Sequence, residues 1–379
     1  MVNNTLAQIR QNKKQQFFIE IGVIIAILIL FVIILPLIVS PFRLQLLGRF
    51  LALAIVGLGI DLIWGYTGLL SLGHGIFFAL GGYAFMMHVK LQIPSGELPE
   101  FFNLYGVTEL PFFWQPFHSF PFTFIAIFII PAIVAGLLGY LVFRNRIKGV
   151  YFSILTQAAL IVFYNFFNGQ QKLINGTNGL KVDKETLFGF LISAPSTQVV
   201  FYQFTIIFLL LSYLLCRWLT SGRFGKLLIA IRDDENRVRF SGYDPTWFKV
   251  LVFAVSGAIA GISGALYTVQ TAIITPSIME VAFSIEMVIW VAVGGRATLL
   301  GAIIGTLLVR LGQSFLSEQF PDIWLFFQGA LFLIVVTILP NGIVGWWHNW
   351  AWIKLKSIFG LNPPLITYPS LEKNPEESP

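Results

Sequence analysis

Charge is scarce in this sequence. Only 11% of its 379 residues are Asp, Glu, Lys or Arg, whereas soluble domains carry about 25%. A water-soluble fold could not cover its surface with so few charges, so that class is excluded. Cysteine is nearly absent, and the single Cys216 rules out a disulfide framework. His74, His88, His118 and His348 are scattered, with no H-E-x-x-H or paired Cys/His spacing to hold a metal. No G-x-x-x-x-G-K-[ST] loop is present to hydrolyse ATP, and no G-x-S-x-G elbow offers a nucleophile. No catalytic and no metal-binding residue is therefore assigned, and an intramembrane enzyme is disfavoured. No apolar run carries the regular Arg repeat of a voltage sensor.

What fills the chain instead is apolar: 56% of it is hydrophobic, in several runs of membrane length. An all-α polytopic membrane protein follows, because in lipid every backbone polar group must be satisfied within the segment. About ten spans are expected. They cover residues 17–39, 44–64, 65–87, 121–143, 150–167, 198–219, 250–270, a hairpin over 281–312 split by Gly294, Gly295 and Arg296, and 323–344. The membrane body is read as residues 17–352, between a polar segment at 1–16 and a Pro- and Glu-containing tail at 353–379 that is expected to be disordered. Trp346, Trp347, Trp350 and Trp352 mark an interface after the last span.

With the N-terminus inside, all but seven of the 24 Lys and Arg fall on the inner side; Arg43, Arg49, Lys90, Lys172, Lys181, Lys184 and Arg310 are the exceptions. The positive-inside rule then places both termini and the loop at 221–249 in the cytoplasm. The basic excess needs no nucleic-acid partner; it fits a membrane surface.

That loop, SGRFGKLLIAIRDDENRVRFSGYDPTWFK, is the longest strongly charged stretch. Leu227, Leu228, Ile231 and Val238 recur at roughly helical spacing, so a short amphipathic helix is expected over 224–238. It is either a solvated loop or a docking helix for a cytoplasmic partner. Gly257 with Gly261, and Ala260 with Gly264, are each four apart and form a small-xxx-small face for close helix packing. The glycine-rich stretch 65–87 holds Ser71 and His74, and Asp61 precedes it. An ionisable group in hydrocarbon costs about 2.5–3.5 kcal/mol on insertion scales. Asp61 and His74 should therefore face a cavity, a partner or the interface, or make a structural hydrogen bond near a helix end. Glu286 lies inside the first helix of the hairpin. Gln157 and Asn165 are polar but uncharged within 150–167.

Three blocks, GLGIDLIWGYTGLLSLGHGIFFALGGY (57–83), GRFGKLLIAIRDDENRVRFSGYDP (222–245) and AVGGRATLLGAIIG (292–305), resemble in order and spacing the membrane subunits of bacterial branched-chain-amino-acid ABC importers. The resemblance covers most of residues 45–345. Ala297 stands where the family's pattern has Gly.

The resemblance implies a permease subunit of an ATP-driven importer in the inner membrane. It implies a coupling helix seated in an ATPase groove, with Gly225, Ala230, Arg232, Asp233, Asp234, Glu235 and Gly242 matching the family's loop block. ATP would bind to one or two partner subunits, with no cofactor in this chain. A homologous second permease, a periplasmic binding protein and membrane lipid complete the implied partners. The path would lie between the two permeases, lined from the 61–83 region and Glu286, which makes Asp61, Ser71, His74 and Glu286 the candidate path residues.

Within the family the chain looks most like the urea-importing branch. Asp61 stands where amino-acid permeases carry Asn, and INGTNGL (174–180) and TLFGF (186–190) also resemble that branch. Urea needs acceptors for its N–H groups and a donor for its carbonyl, which these side chains could supply. A branched-chain amino acid is the alternative cargo. An ATP-independent channel or secondary transporter would leave the charged loop without a role, and a scaffold would leave Asp61 and Glu286 unexplained.

Overall fold

The computed structural model describes residue 22 and residues 28–93, 97–182, 185–320, 323–339 and 342–347. Most of the expected first span, both termini, Trp350, Trp352 and the tail lie outside the described residues. Besides short helical turns, the helices are α1 (Pro41–Thr67), α2 (His74–Lys90), α3 (Phe120–Arg144), α4 (Val150–Gly169), α5 (Pro195–Ser221), α6 (Arg223–Asp233), α7 (Glu235–Phe240), α8 (Pro245–Thr271), α9 (Val281–Gly294), α10 (Leu299–Gln319) and α11 (Trp324–Ile338). Six of these, α1, α3, α4, α5, α8 and α10, are long and apolar enough to cross a membrane. The chain is a multi-pass membrane protein. The remaining expected spans are shorter: α2 has 17 residues, α9 14 and α11 15. At 1.5 Å per residue α9 reaches only about 21 Å. The count of ten is thus not reproduced among the described residues.

Small strands interrupt the all-helical expectation. Leu180–Lys181 pairs antiparallel with Ile273–Ile274, and Thr186–Leu187 with Phe190–Leu191. The first pair ties the loop after α4 to the loop after α8, so both lie at one end of the bundle. The expected loop at 88–120 also holds a short helix, Glu100–Leu104.

α1 is the central helix. Pro41 at its first turn pre-sets the backbone, and Gly68, at φ 74°, closes it with its N–H on the Trp64 carbonyl. Within its most apolar window 83% of residues are buried, against 22% in α4. A helix hydrophobic all round belongs inside. α8 packs along α1, α2 and α3, and its small residues make that possible. A Cβ on Gly264 would overlap the Phe78 carbonyl of α2, and one on Gly257 would sit 2.6 Å from the Ala135 Cβ of α3. Lipid supplies no hydrophobic drive between helices, so close backbone approach and dispersion hold them.

Two expected elements change shape. Residues 65–87 do not form one span: α1 ends at Thr67, α2 begins at His74, and 68–73 are unwound between them. The helix expected over 224–238 is two, because the Asp234 carboxylate accepts the Asn236 and Arg237 N–H groups at 2.9 and 3.2 Å and starts α7 anew.

Gly264→Val places branched atoms against the Phe78 carbonyl and is expected to destabilise the fold by about 1–3 kcal/mol or more. Gly312→Ala, with nothing within 4 Å, is the neutral control. The thermal unfolding midpoint of the detergent-purified chain distinguishes them.

Candidate functional site

The charged loop is built against the bundle. Gly225 lies where α6 turns past the end of α5, and a Cβ there would overlap the Thr220 carbonyl. Leu228, Ile231 and Val238 are buried, while Lys226, Ala230, Asp233, Arg237 and Gly242 are exposed. Gly242, at φ 87°, turns the chain toward Asp244, which caps α8 through the Thr246 N–H at 3.0 Å.

Glu235 is the loop's buried acid. It accepts from Arg239 at 2.8 Å and from Lys249 of α8 at 3.1 Å, and Lys148 of the α3–α4 turn lies at 3.5 Å. One carboxylate therefore joins α7, α8 and the α3–α4 turn. Burial alone would raise its pKa; the Arg239 hydrogen bond and the Lys249 charge outweigh that and hold it below the usual carboxylate value.

Arg232 leaves the same loop toward α1. Its Nη1 donates to the Gly65 carbonyl at 2.9 Å, and its stem covers Gly68. Gly65 is in the last turn of α1, where carbonyls lack helical partners, so the guanidinium satisfies one of them. The turn between α9 and α10 meets the same place. The Ala297 N–H donates to Asp61 Oδ1 at 2.7 Å, and the Arg296 guanidinium stands 5.1 Å from the Trp64 ring. Ala297 has φ 60°, a left-handed conformation costly to a residue with a Cβ. Asp61 holds that turn.

From this hub the unwound residues 68–73 run along α4. The Ser153 hydroxyl donates to the Leu70 carbonyl at 2.7 Å, and the Leu72 N–H donates to Thr156 at 3.0 Å. Ser71 accepts from the Gly73 N–H at 3.3 Å. α2 then starts level with Gly59 of α1. Ser256 donates its only proton to the Gly59 carbonyl at 2.6 Å, so at 2.7 Å it accepts from His74 Nε2–H, which sets the imidazole tautomer.

Ser71 and His74 are thus brought together at the start of α2, and Asp61 sits at the adjoining hub. All three are buried by the chain's own contacts. Glu286 is not with them: its Oε2 is 3.3 Å from Arg310 Nη1 of α10. Ser284, two residues earlier, faces α2 instead, accepting from the Gly75 N–H at 3.3 Å. The supporting hydroxyls Ser153, Thr156, Ser256 and Ser284 were not singled out from the sequence; their signal was Ser and Thr within apolar runs. Phe240, 92% exposed, and Trp247, 61% exposed, were missed as well. Both protrude from the charged loop.

The profile of the family described as branched-chain amino acid transport system / permease component matches residues 42–336. The chain belongs to this family. It is 26% identical over 311 residues to the high-affinity branched-chain amino acid transport system permease protein LivM of Salmonella typhimurium (strain LT2), covering 76% of this chain and 67% of that one. It is 24% identical over 319 residues to the probable branched-chain amino acid transport permease protein LivM of Methanocaldococcus jannaschii (76% and 89%). It is 23% identical over 306 residues to the high-affinity permease protein LivH of Escherichia coli K12 (77% and 91%). No solved structure matches.

Glu235→Gln leaves buried Lys249 without its counter-ion and is expected to cost about 3–5 kcal/mol. The native Glu235 contribution is full above the unfolded carboxylate pKa of about 4.3 and is lost as pH falls through the lower folded value. Hydrogen exchange in 223–240 should therefore stay slow at pH 5 in the native chain, speed up only in stronger acid, and be fast at neutral pH in Glu235→Gln.

Asp61→Asn keeps an acceptor for the Ala297 N–H and is expected to be tolerated. Asp61→Leu orphans that donor, at about 1–3 kcal/mol. Yield and thermal midpoint of the two purified variants check this.

Proposed function

We propose that the chain is a permease subunit of an ATP-driven importer and that a branched-chain amino acid is its cargo. The observation that carries the importer reading is the loop of α6 and α7. It is clamped to the bundle by Glu235, pinned to the end of α1 by Arg232, and it presents Phe240 and a charged face outward. An exposed aromatic set in a polar rim is the pattern of an interface anchor. An ATPase dimer closing beneath it would move α6–α7 as a unit and, through Arg232, the junction of α1 and α2. In this reading Ala230, Asp233, Arg237 and Gly242 face the ATPase, while Gly225, Arg232, Asp234 and Glu235 shape and anchor the loop.

The α6–α7 end is then cytoplasmic, in the inner membrane. ATP is bound by separate subunits and the chain itself is no enzyme. Similarity to both LivM and LivH supports a homologous second permease across the path, with a binding protein delivering cargo from outside.

The relatives' names favour a branched-chain amino acid over urea. Urea is the second reading, favoured by the segments at 174–180 and 186–190. Asp61 is closed inside the chain with its Oδ1 on the Ala297 N–H, so it supports urea only through the resemblance.

Deleting the chain in its host and measuring uptake of labelled leucine and labelled urea, with and without ATP depletion, tests the proposal. Loss of ATP-dependent leucine uptake is expected. Loss of urea uptake alone would transfer the cargo, and uptake indifferent to ATP would replace the importer with a channel or secondary transporter. In the same strain Phe240→Ala is expected to abolish co-purification of the ATPase without lowering the yield of the chain.

A further inference from the structure

α4 is the least enclosed of the long apolar helices, and its exposed surface is divided. At 3.6 residues per turn, Val150, Ile154, Gln157, Ile161, Tyr164, Asn165 and Asn168 share one arc, which turns polar from Gln157 onward. Ala158, Val162 and Phe166 share the neighbouring one. Asn165 is exposed, and its Nδ2 bonds back to the Ile161 carbonyl at 3.0 Å. Gln157, Tyr164 and Asn168 are each half-exposed.

Gln157, Tyr164 and Asn165 lie within the span, and Asn168 is in its last turn. Gln157 is about 10 Å and Asn165 about 22 Å along the helix from Val150. Amides turned toward hydrocarbon are strongly disfavoured, and polar residues in spans face water-filled cavities or partners. The apolar arc has no such requirement and suits lipid. The buried side of the same helix carries Ser153 and Thr156, which hold the unwound residues 70 and 72. α4 is therefore connected through 68–73 to the Arg232–Gly65 contact and so to the charged loop.

We infer that the arc bearing Gln157, Tyr164, Asn165 and Asn168 is this subunit's wall of the translocation path, which rests on the importer reading above. Its four polar side chains carry no charge. It therefore suits a solute without net charge that offers N–H donors and carbonyl or carboxylate acceptors. Asp61, Ser71 and His74, closed inside the chain, position the unwound segment behind this wall.

Single cysteines test the arc in the full chain, in native membranes of its host; native Cys216 is buried and stays. Gln157→Cys, Asn165→Cys and Asn168→Cys are compared with Ala158→Cys and Val162→Cys by labelling with a small water-soluble methanethiosulfonate. Modification about tenfold faster in the first set, slowed by leucine or urea, is expected. Asn165→Ser, which keeps a hydrogen-bonding group, should retain more uptake than Asn165→Leu. Rates in the first set as low as at 158 and 162 would overturn the inference, whether lipid or a packed partner helix covers the arc. Fast labelling with wild-type uptake indifferent to ATP would leave the path wall standing and remove only the importer reading.

Discussion

The structure depends on how closely α8 approaches its neighbours. Helices in lipid gain nothing from burying apolar surface against each other, so contact must come from dispersion between backbones at short range. Gly257 and Gly261 admit α3, and Gly264 admits α2. With α8 seated this way, Ser256 reaches the Gly59 carbonyl and His74 together, and Lys249 reaches Glu235. The small-residue face thus sets the position of the broken helix and of the charged loop at once.

The loop is fixed to the bundle by a charge cluster around one buried ion pair, Glu235 and Lys249. One carboxylate, Glu235, faces Arg239, Lys249 and Lys148. A buried cation without an acid beside it would be expensive, so α7, α8 and the α3–α4 turn are held together. Arg232 links the loop to the end of α1, and Asp61 links α1 to the turn at Ala297. Hydrogen bonds thus tie the loop to the end of α1, and others tie 68–73 to α4.

Much of this was legible in the residues, and the limits have physical causes. The four-residue spacing of Gly257, Gly261 and Gly264 marked a packing face, but nothing local says which helices fill it. The charge run at 221–249 marked a short amphipathic helix, with a solvated loop and a docking helix both left open. That Glu235 rather than Asp233 turns inward depends on the break at Asp234, where a cap competes with helix continuation. Asp61 and Glu286 were conspicuous as acids in apolar runs. The partner of Asp61 is 236 positions away and that of Glu286 is on a different helix, so their separation could not be read from spacing.

The sequence by itself determined that the chain spans a membrane many times, that it is helical, that a charged loop interrupts it, and to which family it belongs. Those follow from composition, run length and local motif, which need no partner to be meaningful. Tertiary structure alone decided that residues 68–73 unwind, that Asp61, Ser71 and His74 close inward, and that α4 is left with a polar arc uncovered. These are contacts between residues far apart in the chain, and the energy of a hydrogen bond or of a close backbone approach exists only once both sides are in place.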